Sequence, residues 1–178
     1  MSVLAVPVLF EAVKQIFTDE GVSTTLVFGR REPARQVNQG PGGANRIVFS
    51  PGADGKLGEY GPVVRPGRNP RSLGTLNDFV TVYCWGYDAT QPQNDIAHYE
   101  AARLLHDVIF RALHIASHTT CKCNIKLSDP VWVQDKIEKN FGYELKFTLT
   151  VPSTIPDEAY TTVMATPVLT TEFETGET

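Results

Sequence analysis

The feature that most limits how this chain can fold is the stretch of residues 29–75, which contains ten glycines and six prolines. A segment of this composition cannot form long helices or a packed core of its own, because glycine adds backbone freedom and proline lacks the N–H that helices and inner strands require. The compact core must therefore come from the flanking residues, about 6–28 and 76–152. We predict a single domain over residues 1–178.

Charge is distributed unevenly along the chain. Residues 29–75 hold eight Lys and Arg against three acids, whereas the chain as a whole has a net charge of −4. Residues 153–178 hold five acids and no Lys or Arg. We interpret the two segments as an extended basic loop and an acidic C-terminal arm, which either remain solvated or form contacts between identical subunits and with partners. The candidate contact residues are Arg30, Arg31, Arg35, Arg46, Arg65, Arg68, Arg71, Asp157, Glu158, Glu172 and Glu174.

The densest group of basic residues is Arg65, Arg68 and Arg71, which are interleaved with Pro66 and Pro70. The prolines fix the backbone in an extended path, and each guanidinium presents a planar fork that suits carboxylate or phosphate. An acidic protein surface is favoured over a nucleic-acid backbone, because few aromatic side chains interleave the arginines to stack on bases.

Composition excludes several broad classes of protein. With 42% apolar residues the chain can bury a core, and the absence of a long apolar run predicts that nothing spans a membrane. The N-terminus has no basic region ahead of an apolar one, so we expect no signal peptide. Three cysteines argue against a disulfide scaffold and favour folding in a reducing compartment.

Hydrophobic periodicity predicts an α+β fold, in which an antiparallel-rich β-sheet has two α-helices packed on one face. The predicted helices span residues 7–20 and 95–117, and Leu104 is assigned to the buried stripe of the second. Residues 143–151 alternate between apolar and polar types, as expected for a half-buried strand. The other predicted strands are residues 24–28, 46–49, 79–87, 121–127 and 131–137.

A zinc site is one candidate chemistry, formed by His114, His118, Cys121 and Cys123 within ten residues. Zinc accepts such ligands, but Cys-X-Cys is not the usual spacing of a zinc finger, and both sulfurs share a predicted face with Ile125. We favour cysteines that pack in the core and histidines at a helix C-terminus. No cofactor is predicted.

No motif predicts catalysis. The glycine-rich run from Asn38 to Asn45 lacks the Gly-Lys-Ser/Thr ending of a phosphate-binding loop, and no Gly-X-Ser-X-Gly is present. Asp88 and Asp95 flank a polar turn and are interpreted as turn and cap residues. We therefore expect a protein that is not an enzyme.

The order of these elements resembles the tail terminator (tail completion) proteins of tailed bacteriophages and prophages, over about residues 6–152. The matching segments are the first helix, the strand at Thr24–Phe28, the strand at Phe79–Trp85, the long helix after Asn94 and the closing strand at Gly142–Val151. Because proteins of that family share no fixed functional site, the resemblance assigns no function to particular residues of this chain. The long insertion at residues 29–75 goes beyond the compact hairpin of small family members.

The resemblance implies a structural virion protein that is assembled in the bacterial cytoplasm and located at the tail and neck of the particle. It implies a homo-oligomeric ring, a hexamer, that caps the tail tube and joins it to a neck or head-completion protein, with the tail sheath as a further partner. DNA would pass through the lumen without sequence-specific binding. A head–tail connector or neck adaptor is the alternative within this class, and a small zinc-binding or nucleic-acid-binding domain is the alternative from another class.

Overall fold

A computed structural model describes residues 5–30, 45–61, 72–133 and 142–156. Over these ranges the chain forms a mixed sheet of seven strands and two α-helices, which confirms the predicted α+β class. The helices are α1 (Ala5–Asp19) and α2 (Asp95–Ala116), and a π-helical turn (Ser117–Cys121) follows α2. The strands are β1 (Thr25–Phe28), β2 (Arg46–Pro51), β3 (Gly58–Tyr60), β4 (Ser72–Gly86), β5 (Lys126–Leu127), β6 (Val131–Trp132) and β7 (Tyr143–Pro156). None of the helices in these ranges has the length and apolar character needed to cross a membrane.

The sheet is organised around two long central strands. Its order is β1-β2-β4-β7-β5, with β3 also paired to β4 and β6 also paired to β7. The pair β1–β2 is parallel, and the other described pairs are antiparallel. Strands β4 and β7 pair from Gly86 opposite Tyr143 at one end of the sheet to Ser72 opposite Pro156 at the other. They therefore form a ribbon that extends beyond the shorter strands β1 and β2.

The core lies between one face of this sheet and the two helices. Alternate residues of β4 and β7 are buried on that face, because a strand directs successive side chains to opposite sides. The largest fully buried side chains include Phe49 and Ile47 from β2, Val80 and Val82 from β4, Leu149 from β7, Leu9 and Val13 from α1, and Ile109 and Leu113 from α2. Each such side chain stabilises the fold by about 1.5–3 kcal/mol relative to solvent exposure.

Helix α2 begins where the sequence predicts, but its cap is Asn94 and not Asp95, which is the first residue of the helix. The side chain of Asn94 caps it, with Oδ1 accepting hydrogen bonds from the backbone N–H groups of Ile96 (3.1 Å) and Ala97 (3.3 Å). These N–H groups would otherwise lack an intrahelical acceptor. The cap thus sets the first turn of the helix that covers β4 and β7.

The predicted strand over residues 121–127 is wrong in its first part. Helix α2 continues into the π-helical turn, where the Ser117 carbonyl accepts hydrogen bonds from the N–H groups of Lys122 and Cys123 (3.1 Å for the latter). Lys122 then takes a left-handed conformation with φ of 48°, and only Lys126–Leu127 pairs with β7. Alternation of apolar residues reports which side chains face the core, but it does not supply a neighbouring strand.

Three further predictions need correction. Leu104 is not part of the buried stripe of α2, since 65% of it is exposed. The range 29–75 is not one extended loop, because β2, β3 and the first residues of β4 lie within it. The acidic arm does not begin at residue 153, since β7 continues to Pro156. Of the predicted strand 131–137, Val131–Trp132 forms β6 and residues 134–137 lie outside the described ranges.

Candidate functional site

Arg46 is a residue of the sheet and does not project from a loop. It stands at the start of β2, opposite Trp85 on β4, which in turn stands opposite Glu144 on β7. Residues directly opposite one another in a sheet share a face, and this row lies on the face away from the helices. Arg46 is half-buried, and Trp85 and Glu144 are 4% and 7% exposed. Arg46 is thus held in the sheet, as its predicted place at the start of a strand implies, and its role as a contact residue stays a prediction.

The Trp85 indole lies directly against the backbone of Gly142. Gly142, with φ of +132°, lies so close that a Cβ there would come within 2.5 Å of the indole ring. The indole Nε1 has no hydrogen-bond acceptor in the part of the chain that the structure describes. The end of the sheet that carries Arg46, Trp85 and Glu144 is thus tightly packed.

The opposite end of the sheet carries the attachment points of the charged segments. Ser72, the first residue after Arg71, pairs with Pro156, the last residue before Asp157. One strand over, Tyr60 of β3 pairs with Leu76, so the segment with Arg65, Arg68 and Arg71 both leaves and re-enters at this end. The segment of residues 62–71, with three arginines and no acid, therefore ends beside the start of residues 157–178, which hold five acids and no Lys or Arg.

Most of the predicted contact residues lie outside the described ranges. Arg30 is described and is exposed just after β1, where the Gly29 N–H bonds the Phe49 carbonyl at 2.9 Å. The predicted contacts outside the description are Arg31, Arg35, Arg65, Arg68, Arg71, Asp157, Glu158, Glu172 and Glu174, and the glycine-rich run up to residue 44 lies outside it as well.

The predicted zinc set is not assembled. His114 and His118 are exposed, and the ring of His114 packs edge-on against Phe110 at 4.6 Å. Cys121 and Cys123 are half-buried and pack beside the core. In the described ranges, no group of three or more His, Cys, Asp or Glu side chains lies close enough to hold a metal ion.

The cysteines are poor nucleophiles at neutral pH. Burial, together with the neighbouring Cys123 thiol, raises the pKa of Cys121 to about 11. Burial also raises the pKa of Cys123, and burial with the nearby Glu144 carboxylate raises that of Cys84 far above its ordinary value. Since only the thiolate reacts, all three thiols stay protonated and unreactive near neutrality.

Asp88 serves the turn before α2, as predicted. Its carboxylate accepts hydrogen bonds from the Thr90 hydroxyl (2.6 Å) and the Thr90 N–H (2.8 Å), and these lower the pKa of Asp88. The Asp88 N–H donates to Nδ1 of the buried His98 at 2.9 Å, and the His98 ring stacks on Tyr87 at 4.7 Å. These contacts tie the turn to the first residues of α2.

Surface depressions occur beside α1 and beside the turn between β2 and β3. One, of about 630 Å³, lies between α1 and the π-helical turn and is lined by Glu11, Ile16, Asp19 and Thr119 among others. The other, of about 280 Å³, lies under the turn between β2 and β3 and includes Asp54, Lys56 and Tyr83.

The outer face of α2 is a feature that the sequence interpretation missed. Ile96, Tyr99, Leu104 and Phe110 are 69%, 42%, 65% and 42% exposed on it. The Tyr99 ring also contacts Tyr143 at 5.1 Å, and Tyr143 stacks on the half-exposed Trp132 at the same distance. The spacing of Ile96, Tyr99 and Phe110, three and then eleven residues apart, was the available signal, because it places them along one line of the helix, with Leu104 toward the other side of the exposed face.

Comparison with known proteins identifies no family. The sequence matches no protein-family model, and no curated protein is significantly similar to it.

Proposed function

We propose that this chain is a structural assembly protein of a tailed phage or phage-like particle: a ring-forming tail terminator that caps the tail tube and joins it to the neck. The subunits form a hexameric ring at the tail–neck junction of the virion. The tail tube protein, the neck or head-completion protein and the tail sheath are its neighbours, and DNA passes through the ring without sequence-specific contacts. A head–tail connector or neck adaptor is the second candidate.

The observation that carries this proposal is the pairing of Ser72 with Pro156. It brings the end of the basic segment (residues 62–71) and the start of the acidic segment (residues 157–178) together at the end of the β4–β7 ribbon that carries Ser72 and Pro156. A ring subunit needs two different surfaces that fit each other on successive copies. Oppositely charged segments on one projecting end supply such a pair, because the acidic segment of one copy can pair with the basic segment of the next.

The length of the acidic segment supports such a contact between neighbouring subunits. Residues 157–178 can span up to roughly 70 Å when extended. A domain of this size has a diameter of about 40 Å. The acidic segment is therefore long enough to reach the basic segment of an adjacent subunit, while the packed core stays unchanged.

The decisive experiment measures the assembly of the full chain and its binding to tail tubes. We expect hexamers by light scattering after size-exclusion chromatography, with or without added tail tubes, and rings at tube ends by electron microscopy. Binding only to filled heads would favour the adaptor instead. A chain that remains monomeric with tubes present and leaves their ends bare would overturn the terminator proposal.

A charge reversal tests the role of the basic segment. Arg68→Glu should leave the fold intact and impair ring assembly, because two opposite charges become alike at each subunit contact. Lys56→Glu is the matched control, since Lys56 lies exposed in the turn between β2 and β3 and outside the basic segment. Normal assembly of Arg68→Glu subunits would rule out the basic segment as a contact surface.

The two alternative functions from another class, zinc binding and nucleic-acid binding, can each be tested by a simple measurement. Stoichiometric zinc in the purified chain would support a metal-binding domain, although the four predicted ligands are not brought together. DNA affinity that falls steeply with salt and vanishes on alanine substitution of Arg65, Arg68 and Arg71 would support a nucleic-acid-binding domain.

A further inference from the structure

The outer face of α2 carries large apolar side chains that contact water. A single helix face with Ile96, Tyr99, Leu104 and Phe110 each more than 40% exposed is unusual for a surface without a partner. The half-exposed Trp132, stacked on Tyr143, extends the apolar area to one side of the helix. This face therefore has the composition of a protein–protein contact.

The charges on the same face form a symmetrical series. Arg103 and Asp107 lie two positions before and after Leu105, which stands near the midpoint of α2. Glu100 and Arg111 lie five and six positions before and after it. Each basic residue thus has an acidic one at nearly the same distance on the other side of the midpoint.

Three of the four exposed apolar residues follow the same symmetry, whereas Ile96, nine positions before Leu105, would face His114. Tyr99 and Phe110 are six and five positions from Leu105 and lie on the same side of the exposed face, while Leu104 is next to the midpoint. When two identical helices pack antiparallel about a two-fold axis, each position faces the one at equal distance beyond the midpoint. A second copy of α2 would then place Tyr99 against Phe110, and Leu104 against itself.

The charged side chains at the centre are available for such a contact. Arg103 and Asp107 are one helical turn apart, yet no salt bridge joins them, and Arg103 makes no ion pair within the described part of the chain. Asp107 contacts only the His106 ring, at 3.2 Å, and remains largely exposed. Arg111 already pairs with Glu20 at 2.9 Å and would share its guanidinium with a partner.

We propose that α2 is a homodimer interface, in which the outer faces of two copies pack antiparallel about a two-fold axis that crosses the helix at the level of Leu105, with Arg103 of each copy opposite Asp107 of the other. The occupant is a second copy because the charge pattern of the face is complementary to itself. A helix of this length offers an interface about 33 Å long. Its apolar residues supply the attraction, and its charges fix direction and register.

This contact is independent of the ring contact in the proposed function. A ring requires different surfaces on successive copies, whereas a two-fold contact uses the same surface twice. If the chain also forms rings, breaking the α2 contact leaves each ring intact. Failure of one contact can therefore be told from failure of the other.

Two variants and their mixture test the pairing. With Arg103→Asp alone, two carboxylates would face each other at both contacts of the dimer, and with Asp107→Arg alone, two guanidinium groups would do so. A dimer that contains one copy of each variant has like charges within each copy but opposite charges at both contacts between the copies. We expect each variant alone to dissociate with a dissociation constant roughly tenfold or more above wild type, and the equimolar mixture to regain near wild-type affinity.

Analytical ultracentrifugation of the full-length proteins measures these constants, and Lys56→Asp is the matched control for a charge change elsewhere. Circular dichroism and thermal unfolding confirm that each variant is folded, and the mixture separates the proposal from a folding defect in either one. Three results would overturn the proposal: a wild type without the two-fold contact at the highest concentration measured, variants that associate as tightly as wild type, or a mixture no tighter than its components.

Discussion

Leu104 and Leu105 are consecutive residues of α2 that meet opposite environments, with 65% of Leu104 exposed and only 5% of Leu105 exposed. Because successive residues of a helix are about 100° apart, one faces solvent while the other packs into the core. The same chemical change at the two positions therefore has very different consequences for the fold.

We predict that Leu105→Asp lowers the free energy of unfolding by about 3–5 kcal/mol, since it places an unpaired carboxylate in the core. Leu104→Asp should change the unfolding free energy of the dissociated subunit by no more than about 0.5 kcal/mol, because the new carboxylate stays hydrated there. Urea unfolding of both variants measures the difference. Equal losses at the two positions would contradict the orientation of α2 described above.

Gly86 marks the closest approach of β4 to α2. A Cβ at position 86 would overlap the backbone of Ala102, which cannot move away without shifting the helix. We predict that Gly86→Ala lowers the free energy of unfolding by about 3 kcal/mol.

Gly55→Ala is the matched control for this substitution. Gly55 has φ of +80° but open space around it, so alanine there should cost only about 1 kcal/mol of backbone strain. Thermal unfolding monitored by circular dichroism compares the two variants. A Gly86→Ala protein as stable as Gly55→Ala would mean that β4 and α2 are further apart than described.

Asp88 should make stability depend on pH in the acid range. The hydroxyl of Thr90, followed by its N–H, lowers the pKa of Asp88 in the folded state below its ordinary value of 3.8. Its contribution is thus fully present above that ordinary value and is lost as the pH falls through the folded-state pKa. We predict that wild type exceeds Asp88→Asn in unfolding free energy near pH 6, and that the gap narrows below about pH 3. A gap that is constant over this range would contradict the prediction.

The thiols should react slowly and with a steep pH dependence. Because the pKa of Cys121 is raised to about 11, its alkylation rate should rise about tenfold per pH unit from about pH 7 to pH 10. An unperturbed thiol would level off earlier. Cys84 should remain unmodified in the folded protein, since it is fully buried. Iodoacetamide labelling followed by mass spectrometry measures this, with Cys121→Ser and Cys123→Ser to assign the sites. Labelling of Cys84 at the same rate as the others would contradict its burial.

Local sequence patterns were sufficient to predict the elements that depend only on residues close together in the chain. The alternation at residues 143–151 predicts β7, and the apolar stripe that follows Asn94 predicts the start of α2, because both depend on side chains close in sequence. The turn role of Asp88 follows from its own short-range hydrogen bonds. Charge and composition, by contrast, do not report that β2, which begins at Arg46, pairs with β4.

The sequence by itself determined the class of the fold, the core faces of its main elements and the opposite charges of its two segments. Only the tertiary structure decided which residues become neighbours. It placed Ser72 opposite Pro156 and turned Leu104 away from the core. It did not bring His114, His118, Cys121 and Cys123 together to hold a metal ion. The physical reason is that periodicity along a chain specifies which side of an element is buried, whereas register and partner depend on contacts between residues far apart in sequence.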